Sequence, residues 1–177
     1  WAQSDDSVTK QFAMYVFEIL SECHLKPEQL KKYKQSFFTI FEKSLADADI
    51  KVRVAALKAT TSFLYSIEDE NIVATFKALM QKILGVVVEA LKADESQGKL
   101  ALESMVDLTK THPSCWKDTS AQLVTILSDV IKMKDFEEGT RTQAAEVVLT
   151  LATQVPANLR KCAPMKTQFF PALVQML

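Results

Sequence analysis

Apolar residues along this chain recur three, four and seven positions apart, the spacing that lines one face of an α-helix. Counted from Ala56, residues Ala59, Thr60 and Phe63 share one face, whereas Lys58, Ser62 and Tyr65 point the other way. This unit recurs. Alanines stand at Ala13, Ala56, Ala101 and Ala144, each followed seven residues later by Leu20, Phe63, Leu108 or Leu151. Seven residues before each alanine is an acid, Asp6, Asp49, Asp94 or Glu137. Three residues before it is a basic residue, Lys10, Arg53 or Arg141, with Gly98 the one departure.

The interval of 43 to 45 residues lies in the range of about 40–47 that characterises HEAT and armadillo arrays of paired helices. Each position has a physical role. The acid starts a helix, where a carboxylate accepts from free N–H groups and favours the positive end of the dipole. The basic residue one turn on reaches an acid of its own or a neighbouring repeat. The alanine admits a close helix neighbour, and the large residue seven on fills the core. These second, or B, helices are predicted over residues 6–23, 49–66, 94–111 and 137–154. First, or A, helices are expected over 27–46, 71–92, 113–134 and 156–177. Pro27 and Pro113 suit a first helical turn, and Pro156 separates the last two helices. Pro164 and Pro171 inside the last A helix predict a kink or split. The expectation is an all-α HEAT-repeat solenoid, a superhelix of about eight antiparallel helices forming one array. Its units are a partial repeat 1–24, repeats 25–67, 68–111 and 112–155, and a partial repeat 156–177.

Composition agrees. Only 3 Gly and 5 Pro occur in 177 residues, too few for the special backbone angles of an all-β or dinucleotide-binding fold. With 21 basic and 22 acidic residues the net charge is −1, so no basic excess points to nucleic acid. Residues 83–90 are apolar, but Glu89 and Lys92 close the run; it reads as a buried helix, short of the ~18 residues of a membrane span. Three widely spaced cysteines, Cys23, Cys115 and Cys162, suggest a reducing compartment. Both chain ends break off inside the pattern, so a fragment of a longer protein is expected, with exposed end faces prone to self-association.

Catalytic chemistry has little support. Cys23-His24 are adjacent and His112 precedes Cys115 by three, but structural zinc needs four ligands in paired spacing. No phosphate loop, nucleophile elbow or HExxH is present. A non-enzyme without cofactor or metal is expected.

Three segments carry a family resemblance. Residues 137–152 read EEGTRTQAAEVVLTLA, followed by PANLRK at 156–161 and FFPALVQML at 169–177. This run is similar to the "EEGxRxxAxExxxTLA…P…RK…FxPxLxxxML" segment of the importin-beta/karyopherin family. KLALESMVDL at 99–108 resembles that family's "ALExLxxLAE" helix, and residues 49–57 carry the general HEAT motif. The chain most resembles the importin-beta-3 branch and its N-terminal half. The resemblance implies a nuclear transport receptor that shuttles between cytoplasm and nucleus through the nuclear envelope. It further implies binding of cargo with basic localisation signals, release by Ran-GTP, and contact with phenylalanine–glycine nucleoporins. The family's acidic loop is not seen. The alternative reading is a generic HEAT scaffold, such as a phosphatase regulatory subunit or an adaptor.

B helices line the concave face of such an array, and positions two, six and nine after each alanine point outward. Glu103 and Asp107 are thereby placed one turn apart, with Glu146 adjacent on the next repeat, an acidic strip suited to a Lys/Arg-rich signal. Glu22 and Tyr65 are further candidates. On the convex side Phe37, Phe38, Phe41, Phe76 and Trp116 are the aromatics available to nucleoporin repeats, although their helical spacing is that of core residues.

Overall fold

A computed structural model describes residue 2 and residues 4–22 and 27–176, without the side chains of residues 22, 27 and 30. The described residues form helices and connecting turns, with no strand. In order these are α1 (Ser7–Glu22), α2 (Pro27–Ser44), α3 (Ile50–Tyr65), α4 (Glu70–Phe76), α5 (Met80–Ala93), α6 (Glu95–Thr111), α7 (Ser120–Lys132), α8 (Glu138–Gln154), α9 (Pro156–Arg160) and α10 (Phe170–Met176). Helices α1, α3, α6 and α8 pack side by side as one layer. They are the four predicted B helices, and α2, α4–α5, α7 and α9–α10 form the second layer. The solenoid expectation holds.

The repeat positions do what the pattern predicts. Ala13, Ala56, Ala101 and Ala144 are all buried between helices. Phe63, Leu108 and Leu151 are buried, but Leu20 on the end helix is 46% exposed. At the helix starts Asp6 accepts from the Thr9 amide at 2.7 Å, Asp49 from Lys51 at 2.8 Å and Asp94 from Ser96 at 2.9 Å. Glu137 caps nothing with its side chain; instead its own amide donates to Glu95 at 2.7 Å. Two of the three basic residues, Lys10 and Arg53, tie repeats together, and Lys99 beside the glycine position adds a further link. Lys10 donates to Asp47 at 2.8 Å, Lys99 approaches Glu137 at 3.9 Å, and Arg53 pairs with Glu89.

Hydrogen bonding to Thr9 lowers the Asp6 pKa from its ordinary 3.8, the Asn71 amide lowers that of Asp69 and the Ser96 amide that of Asp94. Lys10 does the same for Asp47, while its own pKa is raised above 10.5. A depressed carboxylate stabilises the fold above its unfolded pKa and loses that contribution as pH falls through the folded value. Lys10 has the opposite sense, contributing below 10.5 and losing it in strong alkali. The melting temperature is therefore expected to hold near neutrality and to drop below about pH 4. An Asp94→Ala variant should melt lower than the parent at pH 7 and converge with it near pH 3; a gap that persists unchanged in acid would refute the capping role.

Four details depart from the sequence expectation. The second A helix runs from Glu70 to Ala93 as 24 residues, tightened by a 3-10 turn at Lys77–Leu79 where Phe76 and Leu79 are pulled into the core. That helix is also long and apolar enough to cross a membrane, with mean hydropathy 1.4, a correction to the reading that no stretch approaches that limit. Its apolar side is accounted for by burial against α3 and α6. The third A helix starts late: Pro113–Trp116 is a 3-10 turn that buries Cys115 and Trp116, and α7 begins only at Ser120. The last A helix is split, as its prolines predict, but the break falls at Lys161 and Cys162. Pro171 follows the π-helical turn Met165–Phe169, in which the Phe170 amide donates to the Met165 carbonyl, so its missing N–H falls where the regular hydrogen-bond ladder is already interrupted.

His112, at the end of α6, is buried with Nε2 2.8 Å from the Leu64 carbonyl oxygen near the end of α3. It therefore satisfies a helix-end carbonyl of the preceding repeat.

An acidic groove on the inner helix layer

The site grows out of four helix segments and one link. On α3, Lys58, Thr61, Ser62 and Tyr65 fall at helical spacing on the side away from the core. The chain then turns through Ser66, which closes the helix, buries Ile67 and leaves Glu68 and Asp69 at the surface. Asp69 is held there because it caps α4 through the Asn71 amide at 2.9 Å. The end of α1 supplies Glu18 and Ser21, the start of α2 Glu28 and Lys31, and the middle of α6 Glu103, Ser104 and Asp107. Together they enclose a groove of about 1310 Å³.

Six carboxylates (Glu18, Glu28, Glu68, Asp69, Glu103, Asp107) face two ammonium groups, Lys31 and Lys58. Part of this charge is already used. Glu18 lies 3.5 Å from Lys58, and Glu103 accepts from the Gln143 side chain at 3.1 Å. Asp107, Glu28 and Glu68 have no protein partner among the described residues, so their charge is available to a ligand. The hydroxyls of Ser21, Thr61 and Ser104 are turned onto carbonyls of their own helices. A cation entering this groove meets carboxylate oxygens on three helices at once.

Of the residues expected from sequence, Glu103, Asp107 and Tyr65 come together here. Tyr65 is 67% exposed, a flat apolar wall with a polar tip. Glu146 is not in the groove: it pairs with Lys110 at 3.3 Å, which breaks the expected three-carboxylate strip. The side chain of Glu22, and the Cys23-His24 pair, lie outside the described residues. Glu18, Glu28, Glu68 and Asp69 were missed, because they occupy a helix flank, another helix's first turn and a link. Their only signal was a run of acids at 68–70 after α3.

The other candidates are accounted for by packing. Phe41, Phe76 and Trp116 are fully buried, and Phe37 and Phe38 pack on the same core. They are core residues. Burial pushes the Cys115 thiol up to about 11, and His112 is engaged with Leu64. Among the described residues no three His, Cys, Asp or Glu side chains converge as metal ligands.

Residues 1–127, well over half of the chain, match the family model described as "IPO5-like, TPR repeats". The chain belongs to that IPO5-like family. Despite the model's wording, the 43-to-45-residue period measured here is that of HEAT repeats rather than the 34 of TPR units. Membership places the chain in the importin-beta/karyopherin family rather than among generic HEAT scaffolds. The chain is 25% identical over 122 residues to importin subunit beta-3 of Saccharomyces cerevisiae, covering 68% of this chain and 11% of that protein. In fold it is similar to Kap121p bound to the SUMO protease Ulp1p, at TM-score 0.80 and 19% identity over 99% of this chain. It is likewise similar to Kap121p bound to Nup53p, at TM-score 0.79 and 19% identity over 98% of the chain. The IPO5-like chain spans 16% of each of those structures, and at this identity the likeness speaks for the fold alone.

Proposed function

We propose that this segment supplies a cargo-docking groove in a nuclear transport receptor, and that the groove takes a Lys/Arg-rich peptide. The observation that carries this reading is the excess of six carboxylates over two lysines around one groove on the inner layer. Single exposed ion pairs contribute only about 0.2–1 kcal/mol, so binding must draw on several at once and is screened by salt. The protein acts by binding, not by catalysis. That Kap121p has been seen bound to the SUMO protease Ulp1p and to Nup53p supports a receptor role for the longer protein. We extend to it release of cargo by Ran-GTP, contact with phenylalanine–glycine nucleoporins and shuttling between cytoplasm and nucleus.

The test is a fluorescence-anisotropy titration with a labelled Lys/Arg-rich peptide. Reversing Asp107, Glu103 and Glu68 to lysine is expected to weaken binding at least tenfold, or about 1.4 kcal/mol. The parent's affinity should also fall as salt is raised from 50 to 300 mM. Equal affinity for the parent and triple variant would remove the groove from the function. GTP-selective capture of the full-length receptor by Ran tests the wider reading separately.

A further inference from the structure

The B helices differ in one respect that the acidic groove does not use. At the four outward positions five and one before, and two and six after, the alanine, α3 carries Lys51, Ala55, Lys58 and Ser62. Helix α6 carries Ser96, Leu100, Glu103 and Asp107, and α8 carries Gly139, Gln143, Glu146 and Thr150. Helix α1 carries Val8, Phe12, Tyr15 and Ile19 instead, exposed by 71, 55 and 40% at Val8, Tyr15 and Ile19 and by 54% at Phe12. Leu100 is the one large apolar side chain in those three sets, whereas all four positions on α1 carry one.

Stacking of a further repeat does not account for it. Helix α6 has a B neighbour on both sides, yet its Ser96, Leu100, Glu103 and Asp107 all remain exposed, while Ala55, Lys58 and Ser62 of α3 are half-buried. On α6 these positions therefore face solvent on the B-helix side of the array rather than the next repeat. The apolar face is also continuous with the groove. Tyr15, Val8 and Phe12 share a shallow depression with Glu18 and Lys58, and both of those residues line the acidic groove as well.

We infer that this surface reads a bipartite peptide: a Lys/Arg cluster in the acidic groove and an aliphatic or aromatic side chain seated on Tyr15 and Ile19, one turn apart at the groove end of the apolar stripe. This rests on the groove reading above and names the peptide class that the groove takes. The carboxylates fix the basic half by charge complementarity, and continuity of the two surfaces fixes the apolar residue on the same peptide. Neighbouring helices lie about 8–10 Å apart, so α1 and α6 are separated by roughly 20 Å. An extended chain covers that with about six residues. A free apolar anchor beside a charged cluster adds affinity that salt does not screen.

The experiment uses two labelled peptides with the same basic cluster, one carrying Leu six residues away and one carrying Ser there. Each is titrated against the parent chain and a Tyr15→Ser/Ile19→Ser variant whose circular dichroism and melting match the parent. The Leu peptide is expected to bind the parent about tenfold more tightly than the Ser peptide, with the variant losing that gain and binding the Ser peptide as the parent does. Equal binding of both peptides by the parent overturns the anchor while leaving the groove intact; no salt-sensitive binding of either overturns the groove reading itself. A concentration-dependent dimer in light scattering that the double substitution abolishes assigns the face to a second copy and also overturns the proposal. If the variant does not fold, the single Ile19→Ser substitution, at a 40% exposed position, replaces it.

Discussion

Gly98→Arg, which restores the basic residue that the other repeats carry at this position, is expected to unfold the chain at markedly lower urea. The reason lies in the link before it. Five residues join α2 to α3 and five join α7 to α8, but Asp94 alone joins α5 to α6. The long second A helix has converted the missing loop into helix, so the first turn of α6 is pressed against the last turn of α5. A Cβ at Gly98 would meet the Leu91 side chain, with Cγ at 2.7 Å and even Cα at 2.9 Å. Because a backbone atom lies in that contact, rotation of Leu91 cannot relieve it. Overpacking of this kind costs about 1–3 kcal/mol, more than the ~1 kcal/mol a helical residue gains over glycine, and the rest of the arginine side chain adds to it. The urea midpoint should fall at unchanged m-value, which marks lost stability rather than altered compactness. Two controls frame the result. A Cβ at Gly85 meets nothing within 4 Å, and at Gly139 only the Lys99 side chain at 3.5 Å or more. Gly85→Ala should stabilise slightly and Gly139→Arg should be near neutral. If Gly98→Arg behaves like Gly139→Arg, the close approach is not what selects glycine.

Phe63→Ala should be costlier still. Its fully buried ring lies 4.8 Å from Phe37, 5.2 Å from Phe76 and 5.5 Å from Phe41, centroid to centroid. Phe63 thus joins α3 to both neighbouring A helices, and Phe17 of α1 closes on the same cluster through Phe37 and Phe41. Deleting a buried phenylalanine side chain costs about 3–5 kcal/mol, and the edge-to-face pair with Phe41 adds about 0.5–1.5 kcal/mol beyond burial. The total rivals the stability of a small domain. Phe63→Leu, which installs the residue that stands at this place in the other repeats, keeps most of the volume and should lose far less. A thermal melt separates the two: a large drop for alanine with a small one for leucine supports packing of the ring cluster, and equal drops would show that the aromatic character itself decides.

The B helices were legible because each of their repeat positions is fixed by a short-range cause. The alanines mark a tight contact, Asp49 and Asp94 cap, and the residue seven on lies two turns along the same face. Glu137 reads as the same cap in sequence, yet its longer side chain leaves the capping geometry and Glu95 from the preceding repeat takes hold of its amide instead. The A helices were less legible because their irregularities are tertiary. Nothing local marks residues 77–79 or 113–116 as 3-10 turns; Phe76, Leu79 and Trp116 are drawn inward by the layer beneath. For the groove, helical register alone found Glu103, Asp107 and Tyr65. It could not find Glu28 and Glu68, which join the site only when the start of α2 and the α3–α4 link fold across it. Nor could register show that Lys110 reaches Glu146 and removes it from the acidic surface.

The cross-links between B helices on the inner surface are long, water-exposed side chains: Lys58 to Glu18, Gln143 to Glu103 and Lys110 to Glu146. Each contributes little and is weakened by ions, whereas the aromatic and aliphatic seam between the two layers is dry. The array is therefore hinged like a spring with a stiff spine and soft inner rungs. A partner arriving with its own charges can replace these rungs one at a time, while the ring cluster that runs from Phe17 through Phe63 to Phe76 holds neighbouring repeats in register.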